Sequence, residues 1–178
     1  ARQSEGWIAG ILLTAQAKWK GLLASTVRLR GTDSNVYEYL ANEVFALQPP
    51  EVQRFLLGSS VLDEMSAERC NLLLGVENSA EMLRLLEEGS VFIVHLEEDE
   101  ERWYRYHALF QHFLRQKLSA DAPDWQVALH RRAAEILEQA GDSDAAFRHR
   151  LAAGDVAGAV QTVLRAAEGA YEAGRLET

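Results

Sequence analysis

Residues 91–106 read VFIVHLEEDEERWYRY, and they are the one convincing stretch of β-structure in a chain otherwise spaced for helices. The run from Val91 to Leu96 is apolar and rich in β-branched residues, and Trp103, Tyr104 and Tyr106 make an aromatic run. Side chains of both kinds favour the pleated, half-buried surface of a sheet. The intervening residues 97–101 are EEDEE, which suits a solvated turn and predicts a hairpin. A calcium loop would need a central Gly and alternating ligands, and this acidic run has neither.

Helical signals lie on both sides. Upstream, Asn35 followed by Glu38 fits a capping-box start, and Tyr37, Leu40, Val44 and Leu47 supply a buried face up to Pro49-Pro50. Pro50 can open the next helix, because a first helical position has no use for the missing N–H. That helix sets Val52, Phe55 and Leu56 on one face. A short helix is expected from Ser66 to Leu74, ended by Gly75, and another after Asn78 to about Glu88, ended by Gly89. Three helices, the hairpin and a following helix from His107 to Leu118 have the order of a winged-helix domain.

Outward from this unit the chain changes character. Trp7, Ile11, Ala15 and Trp19 recur every four residues and predict an amphipathic first helix, whereas residues 21–34 lose that spacing and read as a linker. Beyond Pro123, Trp125, Leu129, Ala133, Ile136, Leu137 and Ala140 form one apolar stripe, and Val156, Ala159, Val160, Val163 and Leu164 form another. Gly141 and Gly154 punctuate them, with Asp142 and Asp155 placed to cap the helices after each. Short Ala-rich helices with tight turns predict stacked antiparallel pairs like those of tetratricopeptide (TPR) arrays. The expected fold is therefore mainly α: residues 1–20 a terminal helix, 21–34 a linker, 35–118 a winged helix with one β-hairpin, and 119–178 the start of a TPR-like superhelix.

The bulk chemistry narrows the function. With 178 residues, 48% hydrophobic and 25% charged, the chain has the composition of a soluble globular protein. No apolar run nears the roughly 20 residues of a membrane span, and nothing at the start resembles a signal peptide. A single cysteine, Cys70, forms no internal disulfide, suits a reducing cytoplasm and reads as a small core residue. The net charge of −9 is uneven: residues 1–35 carry five basic and two acidic side chains, 36–118 seven and fifteen, and 119–178 six and ten. DNA phosphates are bound by clustered Lys and Arg, so the acidic middle favours protein or ligand contacts. The helix after Asn78, which by position would read DNA, carries Glu81, Glu87 and Glu88 against Arg84. A phosphate-gripping GxxxxGK[ST] loop, a GxGxxG, an HExxH and a GxSxG are all missing, so neither a catalytic residue nor a metal site is expected.

Six blocks then carry a resemblance. GWIAGI (6–11), YLANEV (39–44), FLLGSSVLD (55–63), WYRYHALFQHFL (103–114), LHRRAA (129–134) and AAGDV (152–156) occur in the order found in large LuxR-type regulators typified by the maltose-regulon activator, MalT. The chain is similar to that family over nearly its whole length, with the linker unmatched. Such regulators are signal-transduction ATPases of the STAND class. The resemblance implies an internal piece of a longer cytoplasmic protein: the end of a helical domain, the winged helix, and the first sensor repeats. ATP or ADP would be held by an upstream nucleotide-binding domain, and DNA by a C-terminal helix-turn-helix, both outside this chain. An inducer of unknown identity and ATP would drive the whole protein into a homo-oligomer. Two positions acquire implied roles. His107 falls where relatives carry the His of a Met-His-Asp motif that contacts the β-phosphate of ADP, although Tyr106 and Ala108 replace its neighbours. Gly6, Trp7 and Ile8 fall where relatives carry an adenine-contacting Gly-x-Pro, with Ile8 in place of Pro. His107 capping or packing beneath the hairpin is the structural alternative. Two other functions stay open: a helical scaffold for a partner protein, and a DNA-binding winged helix.

Overall fold

The computed structural model describes residues 41–88, 93–96, 102–172 and 174. Helix α1 covers residues 41–46, followed by α2 (Pro50–Ser59), α3 (Ala67–Leu74) and α4 (Ser79–Glu88). Strands β1 (Ile93–Leu96) and β2 (Trp103–Tyr106) form the hairpin, and α5 (Ala108–Asp121) leaves it. Three further helices come next: α6 (Pro123–Gln139), α7 (Ser143–Ala152) and α8 (Val156–Glu172). The mainly helical architecture, with a winged-helix order and then antiparallel helix packing, is the one read from the sequence.

Local chemistry sets the boundaries. Pro50 occupies the first turn of α2. Ser66 caps α3 by accepting the Arg69 N–H at 3.2 Å, and Gly75 ends it in the left-handed region at φ 68°. Asp142 caps α7 through the Ala145 N–H, and an Asp155 carboxylate oxygen accepts the Gly158 N–H at the start of α8. These elements fall where the Pro, Gly and Asx signals put them.

The strands pair antiparallel, with His95 opposite Tyr104 and Leu96 opposite Trp103. A further piece of sheet has no signal in the sequence. Met65 makes two backbone hydrogen bonds to Tyr104, each 2.8 Å, so β2 is held on both edges. Beyond the hairpin, Ser59 Oγ donates its one proton to the Phe55 carbonyl at 2.7 Å, so the Tyr106 hydroxyl donates to Ser59 Oγ at 2.8 Å. Phe110 lies edge-on to Tyr106 and stacks on Phe113, which meets Phe45 of α1. Met65, Cys70, Leu83, Phe110 and Leu114 are fully or almost fully buried in this core, and burial pushes the Cys70 thiol up to about 12. The thiol is thus an inert packing group.

The main core does not stop at α5. Leu129 and Ala133 of α6 belong to it, whereas Leu137 joins Ala145 and Ala146 of α7 in a second cluster. A polar network ties the outer helices: Glu138 accepts from Arg150 at 3.3 Å, Arg165 at 3.1 Å and the Thr162 hydroxyl, and Arg150 also reaches Asp155 at 3.0 Å.

Some expected burial differs. Leu47 is exposed (63%), and Ala41 and Phe45 take the core positions of α1 instead. The helix ends at residue 46, where Gln48 donates to the Val44 carbonyl and Gln53 to the Ala46 and Gln48 carbonyls. The helix thus ends two residues short of Pro49, and Leu47 falls in the turn facing solvent. Ala140 is also exposed, because α6 ends before it. In α8 the stripe of Val156, Val160, Val163 and Leu164 is exposed, while Ala159 and Thr162 pack inward. Small residues bring α8 close to α7, which leaves the larger ones on its outer side. Tyr37, Leu40, Gly89, the EEDEE turn and the helix around Trp7 lie outside the described residues.

Replacing Phe110 by Ala empties the centre of the aromatic cluster. Urea unfolding should show a loss of about 3–5 kcal/mol, with a far-UV spectrum still helical below the transition.

Candidate functional site

His107 stands between β2 and α5, at the N-cap position of the helix, with extended backbone (φ −58°, ψ 135°). Its carbonyl accepts the Gln111 N–H at 2.9 Å, while its side chain makes no capping bond to the helix. The residue before it is anchored through the Tyr106–Ser59 bond, and three residues later Phe110 is locked in the core. The backbone at this point is therefore fixed from both sides. No acidic residue occupies the first turn of α5, and Ala108 and Leu109 are exposed. A helix start of this kind leaves N–H groups and the positive end of the dipole available to an anion. The imidazole is half-buried, and burial first and Arg105 second hold its pKa below the usual histidine value. At neutral pH the ring is uncharged and can donate one N–H.

Gly6, Trp7 and Ile8 lie outside the described residues, so their placement beside His107 has no geometry here.

The surface that would read DNA in a nucleic-acid-binding winged helix has a different chemistry. Its one basic residue in α4, Arg84, is paired with Glu88 at 2.5 Å, and Glu87 accepts the Tyr104 hydroxyl at 3.1 Å. Leu85 is exposed on the same helix. A groove-reading helix normally offers Arg, Lys, Asn or Gln to base edges, and α4 presents carboxylates and leucine.

A second constellation escaped the sequence reading. His130 of α6 and His149 of α7 face each other with their Nδ1 atoms 2.9 Å apart. One Nδ1 must carry the proton and the other the lone pair. Arg115 of α5 closes the neighbouring loop, donating to the Ser60 and Val61 carbonyls and to Asp63 at 2.7, 3.0 and 2.9 Å. Asp63 in turn lies 3.9 Å from Arg148. The winged helix thus meets α7 through polar groups. The two histidines are 19 residues apart on successive helices, and no local motif could have paired them.

Among the described residues no helix is long and apolar enough to cross a membrane, and no group of three or more metal-ligating side chains converges.

Helices α2 to α4, the β1–β2 wing and α5 together define a winged helix fused to antiparallel helix pairs. Residues 41–126 match the MalT winged helix domain family, and this part of the chain belongs to it. Whole-chain relatives agree. The serine/threonine-protein kinase PknK of Mycobacterium tuberculosis (strain CDC 1551 / Oshkosh) is 32% identical over 162 residues, covering 90% of this chain and 14% of PknK. The HTH-type transcriptional regulator MalT of Yersinia pestis (strain Pestoides F) is 34% identical over 161 residues, 85% of this chain and 17% of MalT. MalT of Yersinia pseudotuberculosis serotype O:1b gives the same figures. The chain therefore spans about one-sixth or less of the length of these relatives.

The histidine pair has a measurable consequence. Burial, with His130 next, lowers the pKa of His149 to about 4, and burial also lowers that of His130. Between pH 6.5 and 4 the unfolded chain binds protons that the folded one refuses, so stability falls as pH falls through that window. For His149 the loss should be on the order of 2–3 kcal/mol. Urea titrations at several pH values should show a flatter profile for His149→Gln than for the parent.

Proposed function

We propose that this chain is the coupling segment of a MalT-like, ATP-dependent transcription regulator. In the resting protein the winged helix closes over ADP held by a separate nucleotide-binding domain. His107 donates to the β-phosphate, and the start of α5 adds its N–H groups. The observation that carries this reading is His107 at a carboxylate-free helix start within a MalT winged helix domain. A neutral donor there fits an anion without bringing a mobile charge of its own. Gly6, Trp7 and Ile8 would lie toward the adenine, by likeness to relatives.

The remaining assignments rest on that one. Residues 1–20 end a helical domain, 21–34 link it, 35–118 form the winged helix, and 119–178 begin a TPR-like sensor array that takes the inducer. The segment is a switch element and not an enzyme, the ATPase chemistry belonging to a P-loop elsewhere. DNA is read by a LuxR-type helix-turn-helix outside this chain, after ATP and inducer drive homo-oligomerisation in the cytoplasm.

A second reading has its own support: PknK, named as a kinase, is similar over 90% of this chain. The segment would then relay a sensor's state to a kinase domain instead of to a DNA reader. Both readings share the winged-helix switch, and the domains flanking the segment distinguish them.

The test uses the full-length protein. His107→Ala should weaken ADP retention roughly tenfold, equivalent to one charge-assisted hydrogen bond of about 1.4 kcal/mol, and raise inducer-independent output. Equilibrium dialysis with labelled ADP measures the first. Unchanged retention together with unchanged basal output would sink the phosphate-sensing role.

A further inference from the structure

Seven Lys and Arg side chains lie between residues 41 and 118, and six of them are engaged within the protein. Arg54 lies over the Trp125 ring and Arg69 over that of Trp103. Arg84 pairs with Glu88, Arg115 with Asp63 and Lys117 with Asp121. Arg102 bonds the Tyr104 hydroxyl. Arg105 is the seventh. It is exposed, and it makes no hydrogen bond, ion pair or ring contact among the described residues.

Its place in the hairpin is well defined. Side chains alternate across a strand, and Tyr104 and Tyr106 of β2 are turned into the core, only 4% and 3% exposed. Arg105 therefore stands on the outer face of β2, with Val94 of β1 as its cross-strand partner. The backbone stays extended through His107 (φ −58°, ψ 135°), so the imidazole two residues on leaves from the same face. The two side chains are also electrostatically coupled, since the Arg105 charge helps to lower the pKa of His107. Between them the Tyr106–Ser59 bond pins the strand end, which holds the two positions in a fixed relation.

We infer that Arg105 and His107 form one anion seat beside the start of α5, in which Arg105 supplies the positive charge for the terminal phosphate of a nucleoside diphosphate. This deepens the nucleotide reading and rests on it. A neutral imidazole offers a phosphate one N–H and no charge, whereas a terminal phosphate carries roughly −1.5 to −2 at neutral pH. A guanidinium supplies the missing charge with two parallel N–H donors that match phosphate oxygens. The other six cations would have to give up a protein contact to reach a ligand. Arg105 gives up only water, and no acidic residue in the first turn of α5 competes for it.

The test measures labelled ADP by equilibrium dialysis on the full-length protein, with Arg105→Lys, Arg105→Gln and Arg105→Glu beside His107→Ala. Affinity should fall about tenfold in Arg105→Gln, less in Arg105→Lys and more in Arg105→Glu. A purely structural role would not rank the three by charge. The substituted side chain is exposed, and an unchanged melting temperature checks that each variant folds. An equal loss in all three overturns the charge role. Loss in His107→Ala with none in Arg105→Gln removes Arg105 and leaves the nucleotide reading standing. Loss in Arg105→Gln with none in His107→Ala breaks the shared seat, and no loss in either overturns both readings.

Discussion

A two-stranded hairpin with four residues per strand cannot stand alone in water, and everything downstream of it hangs on how it is clamped. Two interactions do this. The Met65–Tyr104 bond pair holds the free edge of β2, and the Tyr106–Ser59 hydrogen bond fixes its end against α2. Because Ser59 gives its one proton to the Phe55 carbonyl, it can only accept from the Tyr106 hydroxyl, which fixes the direction of that bond. Phe110 then meets that ring edge-on, so the direction in which α5 leaves the sheet is set by the same contact. His107 is the single residue between β2 and α5, and its position at the helix start is inherited from the anchors on either side.

Punctuation was the legible part of the fold. Pro50, Ser66, Gly75, Asp142, Gly141, Gly154 and Asp155 act through local backbone chemistry, and each marks an element boundary that the structure keeps. The hairpin announced itself by composition. The features that stayed hidden depend on partners distant in sequence. Met65 pairs with a strand as a single residue, too short for any alternation to reveal. The buried face of α1 is the one carrying Ala41 and Phe45, fixed by Phe45 meeting Phe113 across the core, and Leu47 points outward on the other side. Of the stripe on α8 only Ala159 is buried and the four larger members are exposed, since periodicity alone says nothing about which side of a helix is covered. For the candidate site, His107 was visible only through family resemblance, whereas the His130–His149 pair needed the packing of α6 on α7.

Charge separates this winged helix from a DNA reader more firmly than topology does. The same helix order can place α4 in a groove, but Arg84 is neutralised within its own helix and Glu87 is tied to the wing. The MalT family match and the likeness to both a transcription regulator and a kinase fit such a module. A winged helix whose fourth helix presents carboxylates and leucine is better suited in its chemistry to docking against protein than to reading base edges.

Helix α6 is where such docking would be passed on. Its first half shares the winged-helix core through Leu129 and Ala133, and its last turns share a separate cluster with α7 through Leu137. One continuous helix therefore belongs to two apolar cores, and a tilt imposed on either core must be felt by the other. The second connection is of another kind: Asp63, Arg148 and the histidine pair meet around a polar cavity. Close-packed apolar cores resist displacement, whereas a polar contact as long as 3.9 Å can be made or lost at small cost. The winged helix and the helix pairs are thus joined by a close-packed link through α6 and a weaker polar link at Asp63.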